Sequence, residues 1–132
     1  MMANRGYDMT PTMYSPDGRI YQVEYALETV KRGTLAIGVK SKDGIIIAVE
    51  EKARSLQVSE VTQKIFQVDE HIGVAAAGYI TDARVQVDNA RYFSQSNKLT
   101  YDEPVEMETV AKHIADQNHQ CTQYSGVRPF GV

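Results

Sequence analysis

The spacing of apolar residues changes sharply at Gly33, and that change excludes both an all-helical and an all-strand chain. Before it, from Ile20 on, Val23, Ala26, Leu27 and Val30 fall on one face of a helix. After it, Leu35, Ile37 and Val39 alternate with other residues and share one face of a strand. Ahead of the helix stands Ser15-Pro16-Asp17-Gly18, in which Pro16 sets φ for the second position of a turn and Gly18 lets the backbone bend back. Ser15 or Asp17 is expected to cap the first free N–H groups of the helix. Lys31 and Arg32 occupy the last turn, where the helix dipole favours cations, and Gly33 ends the element.

Beyond Gly33 the pattern predicts two hairpins and then two helices. The strand from Thr34 to Lys40 turns at Ser41-Lys42-Asp43-Gly44 into Ile45 to Val49, an apolar run expected to be buried on both sides. Residues 50–62 are polar and predict no element. Lys64 to Val68 and Ile72 to Gly78 form the second hairpin through Asp69-Glu70-His71, the small residues of its second strand leaving room for a helix. A helix capped by Thr81 or Asp82 is expected to run to about Gln95, with Ala83, Val87 and Ala90 facing inward. After a loop from Asn97 to Pro104, a second helix reaches about Cys121, burying Met107, Val110, Ala111, Ile114 and Cys121. Arg128 to Val132 begins another strand. The layout is α+β, with helices on one face of a sheet.

Charge and cysteine usage narrow the partners. The net charge of −3 gives no electrostatic reason to expect nucleic acid or an anionic membrane. Cys121 is the only cysteine, so there is no internal disulfide, and a reducing compartment, the cytosol, fits best. No apolar run reaches membrane-spanning length.

Several stretches are too particular for a generic packing helix: Tyr7-Asp8, then Ser15 to Arg19, then Gln22-Val23-Glu24-Tyr25-Ala26. They continue in order through Gly33, Gly78 with Asp82-Ala83-Arg84, and Gln123-Tyr124 with Gly126 to Val132. Together they closely resemble proteasome α-type subunits, archaeal ones more than eukaryotic ones, over nearly the whole chain. The resemblance implies the N-terminal half of a four-layer αββα sandwich, the N-terminal nucleophile hydrolase fold. Residues 1–33 would be a gate arm and N-terminal helix, and 34–132 strands and two helices of an incomplete α-subunit domain. It implies a non-catalytic, cytoplasmic subunit that forms a seven-membered outer ring on proteasome β subunits, gates the passage of unfolded protein, and docks the C-terminal tails of activator ATPases. No cofactor is implied.

Residue by residue, the resemblance carries the gate onto Tyr7, Asp8, Pro16 and Tyr25. A phenol pair and a carboxylate are able to exchange hydrogen bonds between neighbouring arms, with the proline turn fixing their position. It carries the activator pocket onto Gly33, Lys64 and Tyr79, where Lys64 would pair with an incoming carboxylate. Tyr124, Ser125, Gly126 and Val127 match a loop that narrows the entrance behind the gate. The bland alternatives are a surface lysine flanking a strand for Lys64 and a packing residue for Tyr79.

Two further readings belong to other classes. The related β subunits use a threonine freed by self-cleavage, whose own α-amino group serves as base. Gly33-Thr34 sits where such a junction would sit, but the supporting Asp and Lys positions are assigned to Glu50 and Glu60, and a carboxylate there cannot stabilise negative charge. A truncated, non-assembling remnant is the third reading. His113 and Asp116 are one helical turn apart with His119 on another turn, and without a third ligand a solvated face is expected rather than a metal site.

Overall fold

In the computed structural model, residues 6–52, 56 and 63–124 are described. The elements are α1 (Tyr21–Lys31), β1 (Ala36–Lys40), β2 (Ile45–Val49), β3 (Ile65–Asp69), β4 (Ile72–Ala75), α2 (Ile80–Tyr101) and α3 (Met107–Gln123). Both predicted hairpins form. β1 pairs antiparallel with β2, Gly38 opposite Ile47, and β3 pairs antiparallel with β4, Phe66 opposite Val74. Ile47 of β2 lies against Gly73 of β4, so the two hairpins meet at that point.

The buried core belongs to the second hairpin and the two long helices. Phe66 and Val68 of β3, Ile72 of β4 and Ala76 pack with Ala83, Val87 and Ala90 of α2 and with Val105, Val110 and Ile114. The inward faces of α2 and β3 follow from their periods, three to four residues along the helix and two along the strand. Polar ties fasten the layers: Arg91 Nε donates to Gln67 O at 2.8 Å, and His71 Nε2 lies 2.8 Å from Val105 O. Between β4 and α3 an apolar groove of about 480 Å³ holds no titratable side chain, so it is no seat for acid–base chemistry.

A further tie joins a buried hydroxyl to a half-buried carboxylate. The fully buried Ser94 hydroxyl donates to Asp69 Oδ2 at 2.6 Å, and Glu70 N donates to Asp69 Oδ1 at 2.8 Å. The Ser94 bond first, then the Glu70 amide, hold the Asp69 carboxyl below its ordinary range, with His71 and Lys98 adding attraction. Because the native carboxyl binds its proton more weakly than the unfolded one, this contribution is present above the unfolded carboxylate pKa. It disappears as pH falls through the lowered value. Ser94→Ala is therefore expected to destabilise the protein at neutral pH, with the difference from the parent shrinking as the solution is acidified. Urea unfolding followed by circular dichroism across acid pH measures this, and a difference independent of pH would contradict it.

Several expectations are corrected. Neither Ser15 nor Asp17 caps α1. Its N-cap is Ile20, in extended backbone without a side-chain bond, because the helix begins beyond the reach of those residues. Ser15 closes the preceding turn instead: its N donates to Arg19 O at 2.8 Å, its Oγ accepts from Arg19 N at 3.1 Å, and Gly18 N donates to its carbonyl at 2.9 Å. Gly18 takes φ +74°, the left-handed value the turn needs. The stripe on α1 is not buried, since the helix holds no buried residue. β2 is not buried on both sides: Ile45 and Ile46 are exposed and only Ile47 and Val49 are half-covered, because among the described residues no layer covers the outer face of the hairpin. β4 ends at Ala75 rather than Gly78.

The helices also run further than expected. α2 has Tyr79, not Thr81 or Asp82, as N-cap, and continues through the expected loop to Tyr101, stopping at Asp102 with φ 56°. No glycine or proline interrupts the chain between Gly78 and Pro104, so nothing stops the helix earlier. In α3 only Val110 and Ile114 are buried; Met107 and Ala111 face solvent and Cys121 is half-buried. Burial pushes the Cys121 thiol up, away from thiolate reactivity. Arg128 to Val132 lie outside the described residues.

Candidate functional site

Two of the four predicted gate residues are joined. The Tyr25 hydroxyl on α1 donates to Asp8 Oδ2 at 3.0 Å, and Gln22 Nε2, one turn earlier on the same face, donates to Asp8 O at 2.5 Å. The arm is thereby tied to its own helix by a side-chain and a backbone acceptor of one residue. Desolvation first, then the bond to Asp8, raise the Tyr25 phenol above its ordinary pKa. The raised native value means that the phenol's contribution is complete below the ordinary tyrosine pKa and is lost as pH rises through the raised one. Tyr21 stacks on Tyr25 at 6.4 Å between ring centroids. Tyr7 and Pro16 lie in the same arm and are exposed to solvent. Arg19, just past the turn, forms a forked pair with Glu24, Nε to Oε1 at 2.5 Å and Nη2 to Oε2 at 2.8 Å, which fixes the turn against the first turn of α1.

The second group, Gly33, Lys64 and Tyr79, is gathered in one corner. There the end of α1 meets the starts of β1, β3 and α2. A Cβ added to Gly33 would lie 2.7 Å from Gly78 N and 3.1 Å from Val30 O, so the backbones touch there and only glycine fits. Gly78, at φ +105°, stands directly before Tyr79, the exposed N-cap of α2. Lys64 is no ordinary surface lysine: it is 6% exposed. Its Nζ donates to Thr34 O at 2.8 Å, to Thr34 Oγ1, and to Leu35 O at 3.4 Å. Among the described residues it makes no salt bridge.

This corner corrects the assignment around Thr34. The lysine beside the Thr34 hydroxyl is Lys64, while Glu60 lies outside the described residues. The signal was in the sequence: Lys64, just before β3, continues the period-two inward face of Phe66 and Val68, and all three are buried. Glu50 bonds to the residue after Thr34. Its Oε2 accepts from Leu35 N at 3.3 Å, and its own N donates to Leu35 O at 2.8 Å.

The remaining candidates are separate. Tyr124, exposed, follows α3 and donates its N to Gln120 O at 2.9 Å, whereas Ser125, Gly126 and Val127 lie outside the described residues. The His113 ring stacks on Phe93 with centroids 4.1 Å apart, and His119 Nε2 lies 2.9 Å from Gln123 Nε2. No cluster of three metal-ligating side chains occurs among the described residues.

Comparison with known proteins decides the family. Residues 30–132 match the model described as proteasome subunit, and residues 7–28 match the N-terminal signature of A-type proteasome subunits. The chain belongs to the proteasome subunit family. Its α+β arrangement is that of the N-terminal half of the family's N-terminal nucleophile hydrolase fold. This proteasome-family chain is 50% identical to the proteasome alpha subunit of Methanosarcina acetivorans, over all of the chain and 54% of the relative. It is 52% identical to that of Archaeoglobus fulgidus, over 96% of the chain and 52% of the relative. With the counterpart from Thermococcus sibiricus it shares 53%, over 96% of the chain and 49% of the relative. The proteasome-family chain thus spans about half the length of the curated relatives it matches. The signature ends within α1, so it covers the arm, the turn and the Asp8–Tyr25 tie. No helix among the described residues is long and apolar enough to cross a membrane.

Proposed function

We propose that this chain is the N-terminal half of a non-catalytic proteasome α subunit, which assembles in a seven-membered ring on β subunits and gates the passage of unfolded protein. The observation that carries the reading is the tie between Asp8 and α1 within the residues of the α-type signature. Among the described residues the arm is tied to α1 by two exposed hydrogen bonds, a weak hold. Each contributes about 1 kcal/mol net, so the arm is able to exchange between an arrangement across the ring axis and one lifted at the rim. Tyr7 and Pro16, exposed in the same arm, are placed for contacts with a neighbouring copy. The corner of Gly33, Lys64 and Tyr79 is the docking pocket for the tail of an activator ATPase. Its buried ammonium supplies the charge that a terminal carboxylate seeks, and the close Gly33–Gly78 contact brings the start of α2, with the exposed Tyr79, to the same corner. The cytoplasm is the compartment that suits such a particle.

The contact between Lys64 and Thr34 favours one second reading, a threonine nucleophile with a lysine at hand. In this chain the Thr34 nitrogen is tied in a peptide bond to Gly33, so the α-amino base is lacking until that bond is cut. The two readings separate on one sample of the full-length protein. Intact mass is expected to keep every residue before Thr34, native mass spectrometry to find a ring of seven, and fluorogenic peptides to remain uncleaved by the ring alone. A polypeptide beginning at Thr34, with hydrolysis abolished by Thr34→Ala, would establish the nucleophile instead.

A further inference from the structure

We propose that Thr34 is the positioning residue of the docking pocket: it holds the Lys64 ammonium by two donors and leaves the third for a ligand carboxylate. The inference rests on the docking reading above and goes beyond it by naming what gives that pocket its preference for a carboxylate.

An ammonium has three N–H donors and no acceptor. On Lys64, the two near bonds both go to Thr34, one to its carbonyl at 2.8 Å and one to its hydroxyl. The third runs to Leu35 O at 3.4 Å, long for a hydrogen bond. Leu35 O is already served by Glu50 N at 2.8 Å, so it loses the lysine without becoming an orphan. The third donor is therefore the one a ligand displaces at little cost. The charge itself is the other half of the argument. Lys64 is 6% exposed, its bonding partners are neutral oxygens, and it makes no salt bridge among the described residues. A buried cation without a counter-ion favours an anion over a neutral amide.

Thr34 sets the direction of that cation because two of its oxygens bind one nitrogen. Without the hydroxyl, the ammonium keeps one near acceptor and is free to swing on its four-carbon stem. A carboxylate then loses its aligned donor, while a carboxamide, which gains little from the charge, loses little. Thr34 also stands between Gly33 and Leu35, so the same residue couples the lysine to the close contact of Gly33 with Gly78.

The test uses the full-length protein in its assembled ring. The probe is a fluorescently labelled peptide of the last eight residues of an activator ATPase, made with a free carboxylate and as the carboxamide. Lys64→Ala is expected to abolish the preference for the carboxylate, and if the preference survives that change, the docking reading itself is wrong. With the reading standing, Thr34→Val is expected to weaken carboxylate binding about tenfold, leave carboxamide binding unchanged, and be rescued by Thr34→Ser. Equal carboxylate binding by Thr34→Val and the parent overturns the positioning role while docking stands. Should the valine variant fail to assemble, Thr34→Ala against Thr34→Ser is read the same way: loss with alanine and retention with serine support the role, and equal binding overturns it.

Discussion

Full-length subunits lacking residues 1–12, assembled with β subunits, are expected to degrade casein without any activator at least tenfold faster than the intact particle. Hydrolysis of short peptides, small enough to pass a closed arm, should change far less. The expectation follows from how little holds the arm. Met9 is 81% exposed, and among the described residues the side-chain ties from α1 are the Tyr25 and Gln22 bonds to Asp8. Two exposed bonds at about 1 kcal/mol each leave open and closed arrangements within thermal reach, so removing the plug shifts the population outright. Tyr25→Phe separates the plug from its clasp. It keeps the ring but deletes the donor to Asp8, and is expected to blunt opening by an activator without raising basal degradation. Casein degradation by the deleted particle at the rate of the intact one would show that this stretch is not the gate.

Gly33→Ala is expected to cost about 1–3 kcal/mol of stability, the range of an overpacked site, and to abolish tail docking. Two effects oppose each other. Replacing glycine by alanine restricts the unfolded chain and gains about 0.4–1 kcal/mol where the native backbone accepts it. Here the new Cβ would lie 2.7 Å from Gly78 N and 3.1 Å from Val30 O, and both are backbone atoms that cannot rotate away. The clash therefore outweighs the entropy gain, and relief requires α1 to move from the start of α2. Chemical denaturation of the full-length protein, together with peptide binding by the assembled ring, measures both effects. An alanine variant more stable than its parent would mean that the contact relaxes without strain.

Periodicity made both hairpins, their turns and the inward face of α2 legible, because burial on one side imposes a strict period on each element. It misjudged β2, whose unbroken run Ile45 to Val49 has the composition of a doubly covered strand while its outer face meets no layer among the described residues. Helix ends were the weakest point. Cap-forming side chains were present at Ser15, Asp17, Thr81 and Asp82, yet the N-caps of α1 and α2 are Ile20 and Tyr79, whose side chains make no cap bond, so cap chemistry alone did not locate either start. Of the candidate pocket, the sequence offered the three residues by resemblance and the structure gathers them in one corner. That Thr34 fills the two near bonds of Lys64 depends on a contact between residues thirty apart, which no local pattern carries. Of the proposed gate residues, Asp8 and Tyr25 meet within one chain, whereas the contacts proposed between neighbouring arms would need a second copy.

The placement of the core sets an order of folding. β3, β4, α2 and α3 hold nearly all the buried apolar side chains and are contiguous in sequence, so they are suited to collapse as one cooperative unit with short loops to close. α1 holds no buried residue and the β1–β2 hairpin none that is fully covered, so both join later, fastened through Lys64 and the Gly33–Gly78 contact. Amide protons of α1 should then exchange through partial opening long before those of α2 and β3. α1 and the arm it carries are thus expected to lie at the low end of the stability range, which suits the moving role proposed for the arm.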